Sequence, residues 1–270
     1  RAVHGLLVEG IAHLLAGRFL RARKAAESTL AQEQALQAAH VQLPHAEPLR
    51  ALAHLLLAES AQALQDQPAR DEHLQQALAS QPAREGAPMR EGILMRAARW
   101  SLDERDAPTA GRWLGELPQG AARRTLALRM KLKAARLERQ TAEALETARL
   151  LAKHRAFSTA AAQSIVRGLA MDLLNDAHDV PQLERAWTAL EPAERQMPEL
   201  AVHAALRMAA LGGDGDGTGG ASKATRRASA AAARCSSAAA AASCSAPPDS
   251  AASACATLSL QCKASGGGSV

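Results

Sequence analysis

Aromatic side chains are almost missing from this sequence. Its 270 residues include no tyrosine, two phenylalanines and three tryptophans, whereas 47% of the residues are apolar and many of these are alanine. Enzyme pockets are usually lined by aromatic side chains around a few converging polar groups. The composition therefore disfavours a deep active site and favours helices that pack closely through small side chains.

Cysteine is missing from the first 234 residues. The four cysteines do not form a C-x-x-C pair, and none lies near a histidine at the spacing of a metal site. The body of the chain, up to Leu211, therefore has neither a thiol nucleophile nor a structural disulfide. The cysteines are Cys235, Cys244, Cys255 and Cys262.

Long hydrophobic runs are also missing. The best candidate, Gly5 to Gly17, is short and is interrupted by Glu9 and His13. A membrane-spanning helix needs roughly 18 to 20 consecutive apolar residues, so we expect no spanning segment. Because the chain opens at Arg1 rather than at methionine, a preceding signal or anchor would be absent from it.

Charge of one sign is not concentrated along the body of the sequence. Up to Leu211, 27 lysines and arginines are interspersed with 24 aspartates and glutamates. A phosphate-binding stripe needs local clustering of basic residues. We therefore expect a solvated surface of mixed sign and no nucleic-acid partner.

Catalytic constellations are not recognisable either. The segment Gly215 to Gly220 matches G-x-G-x-x-G, but the dinucleotide fingerprint needs a preceding strand and a following helix, and neither is predicted. None of the nine histidines forms an H-x-x-x-H pair. They are interpreted as surface or packing residues. We expect no catalytic, cofactor-binding or metal-binding residues, and hence no enzyme.

Paired helices are what the sequence does predict, most clearly between Leu52 and Pro82. Asp66 followed by Pro68 predicts the start of a second helix, and Pro82 predicts its end. A unit of about 30 residues with two amphipathic helices is typical of a tetratricopeptide-type repeat. The predicted buried stripes are Leu52, Leu55, Leu56, Ser60 and Ala63 on the first helix and Leu74, Ala77 and Leu78 on the second.

Other segments repeat this pattern. Gly10, Ala22 and Ala26 occupy positions where such a repeat needs small residues, and Gly17 is expected in the turn between the helices. No segment alternates as a strand does, so residues 1–211 are predicted to form an all-α solenoid of helix-turn-helix repeats. The further predicted helical segments are Ala110–Pro118, Thr125–His154, Ala156–Ala177 and Gln182–Gly213.

The composition changes at Gly212. Residues 212–270 contain 18 alanines, 11 serines and 9 glycines, with two leucines and no helical period. Such a segment buries too little apolar surface to offset the entropy of ordering. It is interpreted as a disordered low-complexity tail, or as GC-rich DNA read in a shifted frame.

Two long strings of residues resemble the HemY family of proteobacteria. They are LAHLLLAESAQALQDQPARDEHLQQAL, from Leu52 to Leu78, and the continuous stretch from Arg90 to Phe157. The similarity covers about residues 3–211. It implies a tetratricopeptide-like domain that follows an inner-membrane anchor in a Gram-negative bacterium. It also implies association with a late step of protohaem biosynthesis. The anchor, and the repeats that continue after Leu211 in the family, are not found in this sequence.

The sequence therefore favours a non-enzymatic scaffold that binds haem-pathway proteins on the concave face of its repeats. The first helix of each pair is expected to line that face. His54, Glu59 and Gln62, interpreted as exposed positions of the first helix, are the candidate partner-binding residues. Two alternatives stay open: a haem or porphyrin carrier that uses a histidine ligand, and a truncated product without a function of its own.

Overall fold

The computed structural model describes residues 2–81 and 88–213. Within these residues it contains thirteen helices and no strand, which confirms the predicted all-α, repeat-like fold. The helices are α1 (Ala2–Leu15), α2 (Phe19–Ala38), α3 (Ala46–Ala63), α4 (Gln67–Ala79), α5 (Pro88–Asp103), α6 (Ala107–Gly115), α7 (Gln119–Ala122), α8 (Thr125–Leu137), α9 (Thr141–Lys153), α10 (Thr159–Asn175), α11 (Val180–Ala189), α12 (Pro192–Arg195) and α13 (Pro198–Gly213).

The described residues divide into two compact units, one up to residue 162 and one from residue 163 to residue 213. In the first unit, helices pack in consecutive pairs: α1 with α2, α3 with α4, α5 with α6, and α8 with α9. The second helix of a pair also packs against the first helix of the next pair. First helices contact one another in series, from α1 through α3 and α5 to α8. This is the packing expected of stacked helix-turn-helix repeats.

The turn inside each pair has the same backbone conformation. One residue in each turn has a positive φ, from +57° to +69°, and the next residue donates its N–H to the carbonyl oxygen five residues earlier, at 2.8–2.9 Å. This is the Schellman arrangement, in which a left-handed residue ends the helix. The four left-handed residues are Gly17, Gln65, Arg105 and Arg139.

The small residues predicted for the first pair lie where helices approach closely. A Cβ atom on Gly10 would meet Leu56 Cδ1 at 3.4 Å and Ala25 Cβ at 3.5 Å. Ala22 and Ala26 are fully buried. Gly17 lies in the turn with φ +69°, as predicted. The pair therefore depends on the absence of larger side chains at these positions.

The second pair agrees with the predicted start but only partly with the predicted stripe. The Asp66 carboxylate caps α4 by accepting a hydrogen bond from Ala69 N at 3.3 Å, with Pro68 in the first turn. Ala63, predicted to be buried, is exposed, and Leu52 and Leu55 are half-buried. The reason is that α3 packs on both α2 and α4, so its core positions extend over two faces. They include Leu49, Ala53, Leu56, Leu57, Ser60 and Ala61, while Leu74, Ala77 and Leu78 are buried on α4 as predicted.

The other predicted helical segments are also helices. The segment Thr125–His154 forms the pair α8 and α9, and Ala110–Pro118 contains the end of α6. Ala156–Ala177 contains α10, and Gln182–Gly213 contains most of α11 together with α12 and α13. The helix α4 ends at Ala79, and Pro82 lies outside the described residues.

In the second unit, α11 and α12 both pack against α13. Its core includes Leu183, Leu190 and Leu200, each at most 2% exposed. Arg207 ties α13 to the end of α10 by donating to the carbonyl oxygens of Asn175 and Ala177. The helix α13 runs to Gly213, two residues past the predicted boundary at Leu211.

The glycine motif at Gly215–Gly220, the four cysteines and the rest of the tail lie outside the described residues. Among the helices that are described, none is both long and apolar enough to cross a membrane.

Candidate interaction face and buried polar clusters

Charged side chains of three first helices meet on one surface of the first unit, which we call the first-helix face. Arg96 Nε on α5 lies 3.0 Å from Glu59 Oε1 on α3, and Lys133 Nζ on α8 lies 3.1 Å from Asp103 Oδ1 on α5. These two ion pairs link the three helices side by side. The charged residues of the face are Glu59, Arg96, Arg99, Asp103, Arg129, Lys133 and Arg136.

The first-helix face carries five cationic side chains against two carboxylates. Arg129, Lys133 and Arg136 follow one another at three- and four-residue spacing, so they share one stripe of α8. Arg129 is held in place, since it donates to the Ala156 carbonyl oxygen at 2.8 Å and lies over the ring of Phe157. The face is therefore basic, although the sequence intersperses both signs of charge.

The fold creates this concentration of charge. Arg96 and Arg99 are separated from the cations of α8 by about 30 residues of chain that include carboxylates. Stacking α5 beside α8 brings the cations together, whereas three of the intervening carboxylates, Glu104, Asp106 and Glu116, lie in the turns at the ends of α5 and α6. Counting charges along the sequence could not predict this face, because the sequence does not show directly which helices lie side by side.

The three predicted partner-binding residues are half-buried rather than exposed, because neighbouring helices cover this part of α3. Glu59 belongs to the first-helix face, and burial raises the pKa of its carboxyl group despite the nearby Arg96. Gln62 Oε1 accepts a hydrogen bond from Arg70 at 2.7 Å. His54 faces α4 instead, so the structure does not bring the three residues together. Their role in binding a partner stays a prediction.

The ring of His54 meets the ring of His73 between α3 and α4. The two Nδ1 atoms are 3.4 Å apart, the ring centroids are 5.6 Å apart, and the ring planes are inclined by 32°. Both rings are half-buried, and burial lowers the pKa of both imidazoles below the ordinary histidine value. This pair could not be predicted from spacing along the chain, because the residues are 19 positions apart and on different helices.

A buried arginine, Arg70, lies at the crossing of α4 with its neighbours. Its guanidinium donates to Asp71 at 2.7 Å, to Gln62 at 2.7 Å and to the Glu104 carboxylate, and it lies over the ring of Trp100. Only 6% of Arg70 is exposed. A charge in this position is tolerated because the N–H groups of the guanidinium donate to three side chains and Trp100 covers one of its faces.

Arg70 departs from the pattern of the other pairs. The residue five positions after the left-handed turn residue is a fully buried alanine in the first, third and fourth pairs, and Arg70 in the second. This offset is a signal that sequence reasoning could have used once the turns were aligned. The three alanines are Ala22, Ala110 and Ala144.

Three grooves accompany these clusters. The largest, about 560 Å³, lies between α6, α7, α8 and α9, and none of its described lining residues is a histidine. A groove of about 450 Å³ lies where α2 leads into α3 and includes His40, Leu43 and Arg50. A smaller one of about 240 Å³ lies beside Arg70 and Trp100. Each is a cleft between neighbouring helices.

No group of three or more histidine, cysteine, aspartate or glutamate side chains that could hold a metal ion occurs within residues 2–81 and 88–213. Comparison of the chain with protein-family models, with curated proteins and with solved structures found no match.

Proposed function

We propose that this protein is a non-enzymatic scaffold whose first-helix face binds an acidic segment of a partner protein. The observation that carries the proposal is the concentration of five cations on α5 and α8, with ion pairs that join α5 to α3 on one side and to α8 on the other. Stacked helix pairs provide extended surfaces for peptides and helices.

Charge complementarity decides which partner fits. An acidic segment approaching the face meets more cations than carboxylates, which favours encounter and orientation. Arg99 and Arg136 are both exposed, so they can reach a partner without breaking a buried contact. Leu126, which is 60% exposed on α8, adds apolar surface near the cations. The best partner is therefore acidic with some apolar side chains.

The resemblance to the HemY family gives this scaffold its proposed setting. On that basis the partners are enzymes of a late step of protohaem biosynthesis, held near the inner membrane of a Gram-negative bacterium. A membrane anchor preceding the described helices belongs to the same proposal. Holding consecutive enzymes on one surface would let a porphyrin pass between them without release into solution.

Charge reversal tests the binding face. In the full-length chain, Arg99→Glu combined with Arg136→Glu removes two cations from the face and adds two anions. The matched control, Arg21→Glu with Lys24→Glu, makes the same change of charge at exposed positions of α2. Binding is measured by fluorescence anisotropy with a labelled glutamate-rich peptide, and then with purified late-step haem enzymes.

We expect the face variant to bind roughly tenfold more weakly than the control, since each exposed charge pair contributes about 0.2–1 kcal/mol and two cations become anions. Equal loss in both variants would show that only the overall charge matters. In that case the proposed face would be wrong.

The alternative function, a haem or porphyrin carrier, has one observation in its favour. His40, with φ +57°, lines the groove of about 450 Å³ together with the apolar Leu43 and the cation Arg50. In this groove the imidazole of His40 would bind the haem iron, and Leu43 would pack against the macrocycle. Arg50 would pair with a carboxylate of the porphyrin. A saturable shift of the haem Soret band that is lost in His40→Ala would support the carrier, and a flat titration of the folded chain would exclude it.

A further inference from the structure

We propose that His54 and His73 form a binding site for a divalent transition-metal ion of the zinc or copper class. Neutral imidazole is a common ligand for both metals. The site lies inside one helix pair and is separate from the first-helix face, so it does not depend on the proposed scaffold function.

The separation of the two nitrogen atoms fits one ion between them. Zinc–nitrogen bonds are about 2.0–2.1 Å long, and at the tetrahedral angle two such nitrogens lie about 3.3–3.4 Å apart. The Nδ1 atoms of His54 and His73 are 3.4 Å apart. Hydrogen bonds donated by N–H groups usually span about 2.7–3.2 Å. The two nitrogens are therefore at the long end of a hydrogen-bond contact and at the spacing of two zinc ligands.

The backbone around the pair is fixed before any ion binds. His54 lies in the middle of α3 and His73 in the middle of α4, and the two helices are joined by the Schellman turn at Gln65. The Asp66 cap holds the start of α4. An ion would therefore meet two ligands already in place, which lowers the entropic cost of binding.

The charges around the rings are of both signs. Arg50 near His54 forms an ion pair with Glu33 at 2.5 Å, and Arg23 near His73 forms one with Glu27 at 3.0 Å. Each arginine disfavours positive charge on the ring beside it, and its carboxylate partner offsets this effect in part. Two further carboxylates, Glu72 and Asp66, act on the pair and favour positive charge on it.

The site offers two protein ligands, since no group of three or more candidate ligands occurs in the described part of the chain. Water would complete the coordination, so the ion would be exchangeable. A bound ion would link α3 to α4 and stabilise the folded pair in proportion to its occupancy.

The test uses the full-length chain with its four cysteines changed to serine, because thiolates also bind zinc. This reference is titrated with Zn²⁺ by calorimetry at pH 7.5, and its unfolding temperature is followed with and without the ion. We expect saturable binding of one ion per chain and a rise in the unfolding temperature. His54→Ala and His73→Ala should each abolish both effects, whereas the control His154→Ala, at an exposed position, should keep them.

A variant that keeps a metal-binding side chain at position 73 distinguishes loss of the ligand from loss of the fold. His73→Cys should restore one-to-one binding, and its Co²⁺ complex should show a sulfur-to-metal charge-transfer band that the reference lacks. Circular dichroism checks that each variant is helical. A flat titration of the reference chain, or binding that is unchanged in both alanine variants, would overturn the proposal.

Discussion

The second and fourth helix pairs have the same turn but different contents at the helix crossing. Gln65 has φ +62° and Arg139 has φ +57°, and the Schellman hydrogen bonds that follow them are equivalent. Five residues later, the second pair buries Arg70 with its polar partners, whereas the fourth pair buries Ala144 at 0% exposure. The two pairs therefore share the backbone conformation of the turn, whereas the side chains that fill the helix crossing differ between them.

Placing an arginine at position 144, which is equivalent to Arg70 in the fourth pair, should have the largest effect on stability. Ala144→Arg would force a guanidinium into a crossing built for a methyl group, where the positions equivalent to Gln62 and Asp71 are occupied by Arg136 and Leu145. We expect a loss of about 3–5 kcal/mol in the free energy of unfolding, the cost typical of an uncompensated buried charge. Urea denaturation followed by circular dichroism measures it. A loss below about 1 kcal/mol would show that the two crossings are interchangeable.

Replacing the arginine of the second pair by alanine should lower the free energy of unfolding by a smaller amount. Arg70→Ala removes the charge and the donor to Gln62 and Asp71, leaves Glu104 with the hydrogen bond from Gln67, and uncovers the ring of Trp100. We expect a loss of about 1–3 kcal/mol, because these partners are partly solvated and can bind water. The control is Asp71→Ala, which removes an exposed partner and should change stability by less than about 0.5 kcal/mol. Unfolding curves that coincide for the two variants would contradict this account.

Substitution of the left-handed turn residue should change the free energy of unfolding in opposite directions in the first and second pairs. Gly17→Ala puts a Cβ atom on a left-handed residue and should cost about 1 kcal/mol, although nothing lies within 4 Å of that atom. Gln65→Gly relieves the same strain and should gain about 0.5 kcal/mol, since the flexibility of glycine in the unfolded chain offsets part of the benefit. Midpoints of urea denaturation measure both. Shifts of the same sign would show that the turns are not equivalent.

The third pair has the smallest expected effect, and it depends on pH. Asp106 accepts hydrogen bonds from the side chain and the backbone N–H of Thr109, which lower the pKa of its carboxyl group. A lowered folded-state pKa contributes stability above the unfolded-state value of about 3.9, and this stability is lost as the pH falls toward the folded-state value. Asp106→Asn keeps a capping oxygen but should remove this part of the acid dependence. Midpoints measured between pH 2.5 and 7 for both chains test it.

The sequence predicted those features that depend on local pattern. The helices, the cap at Asp66 and the small residues at Gly10 and Ala22 all follow from spacing along a single segment. The exposure of Ala63 did not, because a helix that packs on two neighbours buries two faces and a single stripe cannot describe them. The meeting of His54 with His73 depends on the crossing of two helices. The basic character of the first-helix face depends on which first helices are neighbours, so neither could be read from spacing.

The four turns keep one backbone conformation, and three of them do so without glycine, although the length of chain between them varies. The four turn residues are separated by 48, 40 and 34 positions, so each pair accommodates longer or shorter helices and connections around an unchanged bend. Insertions and deletions should accumulate between pairs and be rare within the bend itself. A search that relies on a glycine would recognise one turn of four, whereas one that aligns the bends would recover all four pairs together with the two further bends at His40 and Arg155. The bend, rather than the repeat length, is what the four pairs have in common.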